Sequence, residues 1–265
     1  MPNIAWLTDL HLNFLQAELL QEFLDSLIET DPDLLLIGGD IGEARDVEGY
    51  LEQIADALKR PIYFVLGNHD FYHGSIHGVR TGVERLCERC EHLHYLSVGD
   101  AISLTPRIAL VGHDGWADGR IGDYAGSDIM LNDYRLIDEL AQMPKAARRT
   151  ILEALGDDAA DHFRRVLPPA LERHEEVYLL THVPPWREAC WHEGQLSDDE
   201  WAPHFACQAV GDALTEIMDS APDRRLTVLC GHTHSSGEAQ IRPNLQALTG
   251  QAEYGHPTIQ RVFVV

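Results

Sequence analysis

Basic residues are scarce in this chain. Twenty Lys and Arg stand against 43 Asp and Glu, a formal net charge of −23. That balance excludes a broad sequence-independent nucleic-acid face, which needs Lys and Arg to displace counterions, so a nucleic-acid partner is not expected. It leaves room for a small anionic substrate, because bound cations can reverse the local field. Cysteine is sparse too: five residues, an odd and scattered set. Cys87 and Cys90 form one C-x-x-C inside a helical pattern. No second pair completes a zinc knuckle, so reduced structural thiols are expected. No apolar run approaches the ~18–20 residues of a membrane span. The first run is interrupted by Asp9 and His11, and Met1-Pro2-Asn3 has no basic n-region. Neither a signal peptide nor a membrane segment is expected, and the expected location is cytoplasmic.

What is present is an α/β pattern. The 265 residues suit one large domain. Short apolar runs at Ile4–Thr8, Leu34–Ile37 and Ile62–Leu66 alternate with helical periodicity over Phe14–Glu29, Val47–Leu58 and Gly74–Cys90. This alternation predicts a mostly parallel sheet with helices on both faces. Two strands are expected around Thr105-Pro106. Helices are expected over Ile129–Leu140 and Ala147–Leu167, the second closed by Pro168-Pro169. Strands at Val177–Thr181 and Leu226–Cys230 flank a helix over Cys207–Met218, and closing strands follow from Ala239 to Val265. The irregular or helical segments 112–175 and 184–206 are expected to cap the site within a single domain spanning 1–265.

Polar clusters end the apolar runs. Asp9 and His11 follow the first, Asp40 the second and Asn68-His69-Asp70 the third; His182 follows VYLLT, and His232 and His234 follow LTVLCG. Buried charge without a partner is costly, and ligands of parallel sheets bind beyond the carboxyl ends of the strands. Hard oxygen and imidazole donors gathered at one sheet edge point to metal ions and phosphate chemistry.

The pieces Asp9-Leu10-His11, Gly39-Asp40, Gly67-Asn68-His69-Asp70, Thr181-His182 and Gly231-His232-Thr233-His234 together resemble the calcineurin-like metallophosphoesterases. The resemblance implies a fold of central mixed β-sheets flanked by helices, with a binuclear centre at the strand ends. It implies Asp9, His11 and His234 around one ion, Asn68, His182 and His232 around a second, and Asp40 bridging both. It also implies that a hydroxide bridging the two ions attacks phosphorus, while His69 acts at the leaving group and Asp70 orients it. A carboxylate can share its oxygens between cations ~3.5–4 Å apart. Mixed nitrogen and oxygen donors without thiolate suit manganese, iron, zinc or cobalt.

Specificity is expected from the irregular segments, with His73, His113, Trp116, Arg120 and Trp186 as candidate substrate contacts. Arg135 and Arg187 are further candidates for a phosphate oxygen. The substrate is expected to be a small phosphomonoester or phosphodiester. A cyclic-nucleotide phosphodiesterase or nucleotide pyrophosphatase is the alternative, and a non-catalytic scaffold is the reading from another class. Protein serine/threonine phosphatases of this family carry G-D-x-x-D-R-G. Gly39-Asp40-Ile41-Gly42-Glu43-Ala44-Arg45 departs from it.

Overall fold

The computed structural model describes residues 2–265. Its first half runs β1 (Asn3–Leu7), α1 (Ala17–Thr30), β2 (Leu34–Gly38), α2 (Val47–Leu58), β3 (Ile62–Val65), α3 (Ile76–Arg89) and β4 (Leu93–Tyr95). The middle adds β5 (Ile102–Ser103), β6 (Ile108–His113), a short α4 (Asp133–Leu136), a long α5 (Lys145–Arg173) and β7 (Glu176–Thr181). Then come a hairpin of β8 (Trp191–His192) and β9 (Gln195–Leu196), α6 (Ala202–Phe205), α7 (Gln208–Asp219) and β10 (Arg225–Cys230). The closing strands are β11 (Gly237–Arg242), β12 (Leu245–Thr249) and β13 (Arg261–Val264).

The strands make two principal sheets, in the orders β13-β1-β2-β3-β4 and β11-β12-β10-β7-β6-β5. Each has a parallel centre; the antiparallel edges are β13 on β1, β11 on β12 and β5 on β6, while β4 joins β3 in parallel. Alternation along the strands explains the layering. Ala5, Leu7, Leu35, Ile37 and Phe64 pack outward against Phe23 and Leu27 of α1, Leu51 and Ile54 of α2, and Val83 and Leu86 of α3. Ile4, Trp6, Leu34, Leu36 and Val65 face inward and meet Leu110, Tyr178, Leu180, Leu229 and Leu248 of the other sheet. The outer face of that second sheet is covered by Phe163 and Leu167 of α5 and Val210 and Leu214 of α7. The protein is a sandwich of two sheets between two helical layers. Each sheet carries helices on one face only, unlike the one sheet read from the alternation of strands and helices. Runs such as Leu34–Ile37 are apolar on both faces, and that pattern cannot distinguish a helix from a second sheet as the neighbour.

Two helix expectations are corrected. α5 does not stop before Pro168-Pro169 but continues to Arg173. The prolines lie on its outer side, and the carbonyls they release belong to the exposed Arg164 and Arg165, where water can satisfy them. Ile129–Leu140 is turn and coil, with helix only over Asp133–Leu136. Its apolar residues Leu131, Ile137 and Leu140 pack on the first sheet's helical core as a coil. All five cysteines are free thiols. Among the described residues, no helix is long and apolar enough to cross a membrane.

Candidate metal centre

Register brings the polar clusters together. Leu7 pairs with Ile37, and Gly38 with Val65, so the loops after β1, β2 and β3 leave the first sheet side by side. The loops after β7 and β10 leave the second sheet together, with the Gly231 N–H donating to the His182 carbonyl at 2.8 Å. The backbone there is forced. Asp9, His11, Asp40, His232 and His234 adopt φ of 52°, 45°, 52°, 71° and 59°. Left-handed conformations in non-glycine residues cost energy and persist where the surroundings over-determine them. Here they turn five donor side chains inward two to four residues beyond the strand ends. Two glycines make the approach possible: a Cβ on Gly67 would collide with Asp40 and His182, and one on Gly231 with Asp9 and Thr8.

Asp9, His11, Asp40 and His234 form one cluster, each offering a donor atom within 4.8 Å of the others. His11 Nε2 and His234 Nε2 lie 3.0 Å apart, Asp9 Oδ1 is 3.5 Å from His234 Nε2, and Asp40 Oδ2 is 3.7 Å from His11 Nε2. Asp9 is fixed by the Thr8 hydroxyl at 2.6 Å and the His232 N–H at 2.9 Å. A second group meets on the other side of Asp40. Asn68 Oδ1 is 3.1 Å from His182 Nε2 and 2.9 Å from His232 Nδ1, while Asp40 Oδ1 is 3.4 Å from His182 Nε2.

Tautomers show what these atoms need. His182 Nδ1 lies 2.8 Å from the Gly38 carbonyl, and His232 Nε2 lies 3.1 Å from the His204 carbonyl. A carbonyl only accepts, so those nitrogens carry the protons. In the neutral rings, His182 Nε2 and His232 Nδ1 then present lone pairs to Asn68 Oδ1, itself an acceptor. The Asn68 amide cannot turn to help, because its Nδ2 donates to Asp133 Oδ1 at 2.8 Å. Lone pairs converging in a buried space call for a cation. The pKa directions divide: His11 and His232 are held neutral, ready to ligate, while His182 draws a proton where a cation would stand. Burial opposes charge on His182, but the neighbouring Asp40 overcomes it and raises the group to about 10. Burial dominates at His11 and His232 and lowers both to about 4. Asp40 is held well below the usual carboxylate range: burial works against this, and His182 and His69 outweigh it. The donor set fits divalent metal ions.

His69 sits on the wall of the adjoining cleft. Its ring lies tilted against Tyr72, 4.3 Å between centroids, and 4.6 Å from His11, and its backbone N–H donates to Asp40 Oδ1 at 2.8 Å. Asp70 does something other than orient that ring. Its oxygens accept the backbone N–H groups of Ile41, Gly42 and Gly67, each at 2.8 Å, and clamp the loops after β2 and β3 together.

The cleft has a volume of about 360 Å³ and is lined by Asp40, Asn68, His69, Tyr72, His232 and His234 on the metal side. Its other walls come from Leu131, Asn132 and Asp133, from His192, Glu193 and Phe205, and from Thr233, Ser235 and Tyr254. The irregular segments thus reach the cleft, through residues other than those singled out in the sequence. His73 is exposed with Nε2 4.0 Å from Glu43. His113 is buried under α5, its Nε2 3.6 Å from Asp158. Trp116 packs on Phe71, centroids 5.7 Å apart, behind the donor atoms. Arg120 is paired with Asp118 and Asp157 at 3.0 and 2.8 Å, and Trp186 Nε1 donates to the Gly211 carbonyl at 3.1 Å. Apart from the exposed His73, each is held by a partner that satisfies its polar atoms or covers its ring. Tyr254 and Asp133 were missed: one stands in a tail coil and the other in a stretch whose apolar spacing suggested a plain helix.

The sequence matches the calcineurin-like phosphoesterase family over residues 2–236. No curated protein matches it. The fold is similar to that of phosphopantetheinyl hydrolase (PptH) from Mycobacterium tuberculosis, at TM-score 0.69 and 15% identity, covering 96% of this chain and 90% of that one. It is similar to a dimetal phosphatase from Danio rerio, at TM-score 0.61 and 13% identity, covering 97% and 90%. A Thermus thermophilus protein, TT1561, aligns at TM-score 0.51 and 12% identity, covering 94% and 89%. With the family match spanning most of the chain and its Asp and His donors gathered at the strand ends, the protein belongs to the calcineurin-like phosphoesterases, a family of metal-dependent phosphate-ester hydrolases.

Proposed function

We propose that the chain hydrolyses a small phosphomonoester or phosphodiester at a two-ion centre. Asp9, His11 and His234 would hold one ion, Asn68, His182 and His232 the other, and Asp40 both. The observation that carries this reading is the division of Asp40: Oδ2 is turned to His11 at 3.7 Å and Oδ1 to His182 at 3.4 Å. When bound, two divalent ions supply a nucleophile from water at neutral pH and neutralise charge gathering on the phosphoryl oxygens. Manganese, iron and zinc all suit these donors.

The chain's own groups do the rest. His69 lines the cleft beside His11 and donates a proton to the departing oxygen. Asp133 fixes Asn68 with its carbonyl oxygen inward. Asp70 sets the distance between the loops that carry Asp40 and Asn68. The parts of segments 112–175 and 184–206 that reach the cleft, Leu131–Asp133 and the hairpin with Phe205, serve as its cap. α5 belongs instead to the outer helical layer. No tryptophan lines the cleft to stack on a base, so the cyclic-nucleotide and pyrophosphatase readings gain no support there. A scaffold without activity is disfavoured by the presence of every donor together with His69.

The test is a panel of an aryl monoester, an aryl diester, cyclic nucleotides and a phosphopantetheinyl ester, assayed with added manganese. Metal-dependent turnover of at least one ester is expected. A manganese-loaded protein that turns over none of them contradicts the reading.

A further inference from the structure

The charge inventory of the cleft is one-sided. Among the described residues that line it, the ionisable side chains of fixed sign are Asp40, Asp133 and Glu193; no Lys or Arg is present. The basic residues of the two flanking segments, Arg135 apart, are occupied elsewhere. Arg120 is bound to Asp118 and Asp157, and Arg187 to Asp199 at 2.5 Å. Lys145 donates to the carbonyls of Ala125 and Ser127, and Arg148 lies 3.8 Å over the Tyr134 ring. Arg135 is exposed on α4 and lies outside the lining.

Glu193 is placed at the rim by the local sequence. Trp191 pairs with Leu196 and His192 with Gln195, leaving a two-residue turn of Glu193 and Gly194. Their φ values of 50° and 76° are those of a type I′ hairpin turn. The turn is tied toward the metal side, because the Gly194 N–H donates to Ser235 Oγ at 3.3 Å, next to His234. Its base is held by the aromatic contact of His192 with Phe205, 5.0 Å between centroids, and Phe205 in turn meets His232 at 5.4 Å. Tyr254 closes another side, 5.2 Å from His234. Aromatic rings form part of the walls, and the rim carries a negative charge.

A phosphate monoester carries ~1.5–2 negative charges near neutral pH, and a diester carries one. Sites built for the extra charge supply Arg or Lys to the additional oxygens; this cleft supplies a carboxylate. We infer that the cleft selects singly charged phosphodiesters with an uncharged or cationic, ring-contacting alcohol, and that Glu193 discriminates against doubly charged monoesters and polyphosphates. This inference rests on the proposed ester hydrolysis and names its substrate class.

The experiment compares 4-nitrophenyl methyl phosphate with 4-nitrophenyl phosphate, which share a leaving group, on the manganese-loaded full chain at low and high salt. The diester is expected to have the higher kcat/KM, by about tenfold or more, because like charges brought together are penalised. Glu193→Lys should raise the monoester-to-diester ratio, by about threefold to tenfold, with the change shrinking at 1 M salt as screening removes it. Asn132→Lys should move the ratio the same way from another wall. Preference for the monoester, or a ratio that neither substitution moves, overturns the inference while leaving ester hydrolysis intact. Turnover of neither compound overturns the inference, and overturns ester hydrolysis with it only when the rest of the panel is also left unhydrolysed.

Discussion

Asp133 holds the side-chain amide of Asn68 at 2.8 Å and so decides which way Asn68 faces. The same Asp133 oxygen accepts the Tyr72 hydroxyl at 2.7 Å. With the amide committed, the Asn68 carbonyl oxygen has one direction left, toward His182 and His232. Asp133→Ala should therefore weaken one ion much more than the other. Groups that orient metal ligands typically contribute 10–100-fold in affinity. Calorimetric titration of the metal-free protein with manganese checks this, and two unchanged binding steps would count against it.

His69 contributes its ring to the cleft and only its backbone N–H to Asp40. His69→Asn should leave metal content intact and lower kcat by about 10²–10⁴-fold, the usual worth of a positioned proton donor. Metal analysis alongside steady-state kinetics separates the two effects. Unchanged kcat with ordinary metal content removes His69 from the chemistry.

The cluster of Asp9, His11, Asp40 and His234 was legible in the sequence because each follows a strand run by two to four residues and none can be buried unpaired without cost. Strand order and the two helical layers were less legible. Leu34–Ile37 and Val177–Leu180 are apolar on both faces, so their pattern is silent about what covers each side. Pro168 and Pro169 suggested a helix end, yet they fall where α5 faces solvent and the missing hydrogen bonds cost little. Cleft walls were the least legible. Glu193, Phe205 and Tyr254 stand in or beside coil or very short elements, where position depends on distant packing and no periodicity marks it.

Gly231 lies where any side chain would collide with Asp9 and Thr8. Gly231→Ala should destabilise the fold by about 1–3 kcal/mol, as overpacking does, and should lower metal affinity because Asp9 must shift. Urea unfolding with and without manganese measures both. A variant with wild-type stability and wild-type metal content would show that the loop relaxes freely.

His162 tests the fold away from the donors. It is buried on α5 beside His113, at 5.1 Å between ring centroids, with Nε2 lacking a partner. Burial, then the charges of His113 and Arg165, lower it from 6.5 to about 4. The unfolded chain binds the proton first, so this group's stabilisation is complete above pH 6.5 and is lost as pH falls from 6.5 to 4. The loss should be on the order of 2 kcal/mol. His162→Gln should flatten the stability–pH curve in that window relative to the wild type. Identical slopes for the two proteins would place the titration elsewhere.

Asp40 divides its two oxygens between His11 and His182, and everything proposed for the site depends on that division. The most direct measurement is the number of ions bound per chain, by elemental analysis of manganese-loaded wild type and Asp40→Asn. Two ions are predicted for the wild type, with occupancy of both falling together in the variant and ester turnover lost. One ion in the wild type, or a variant that keeps two ions and normal turnover, would contradict the shared-carboxylate centre.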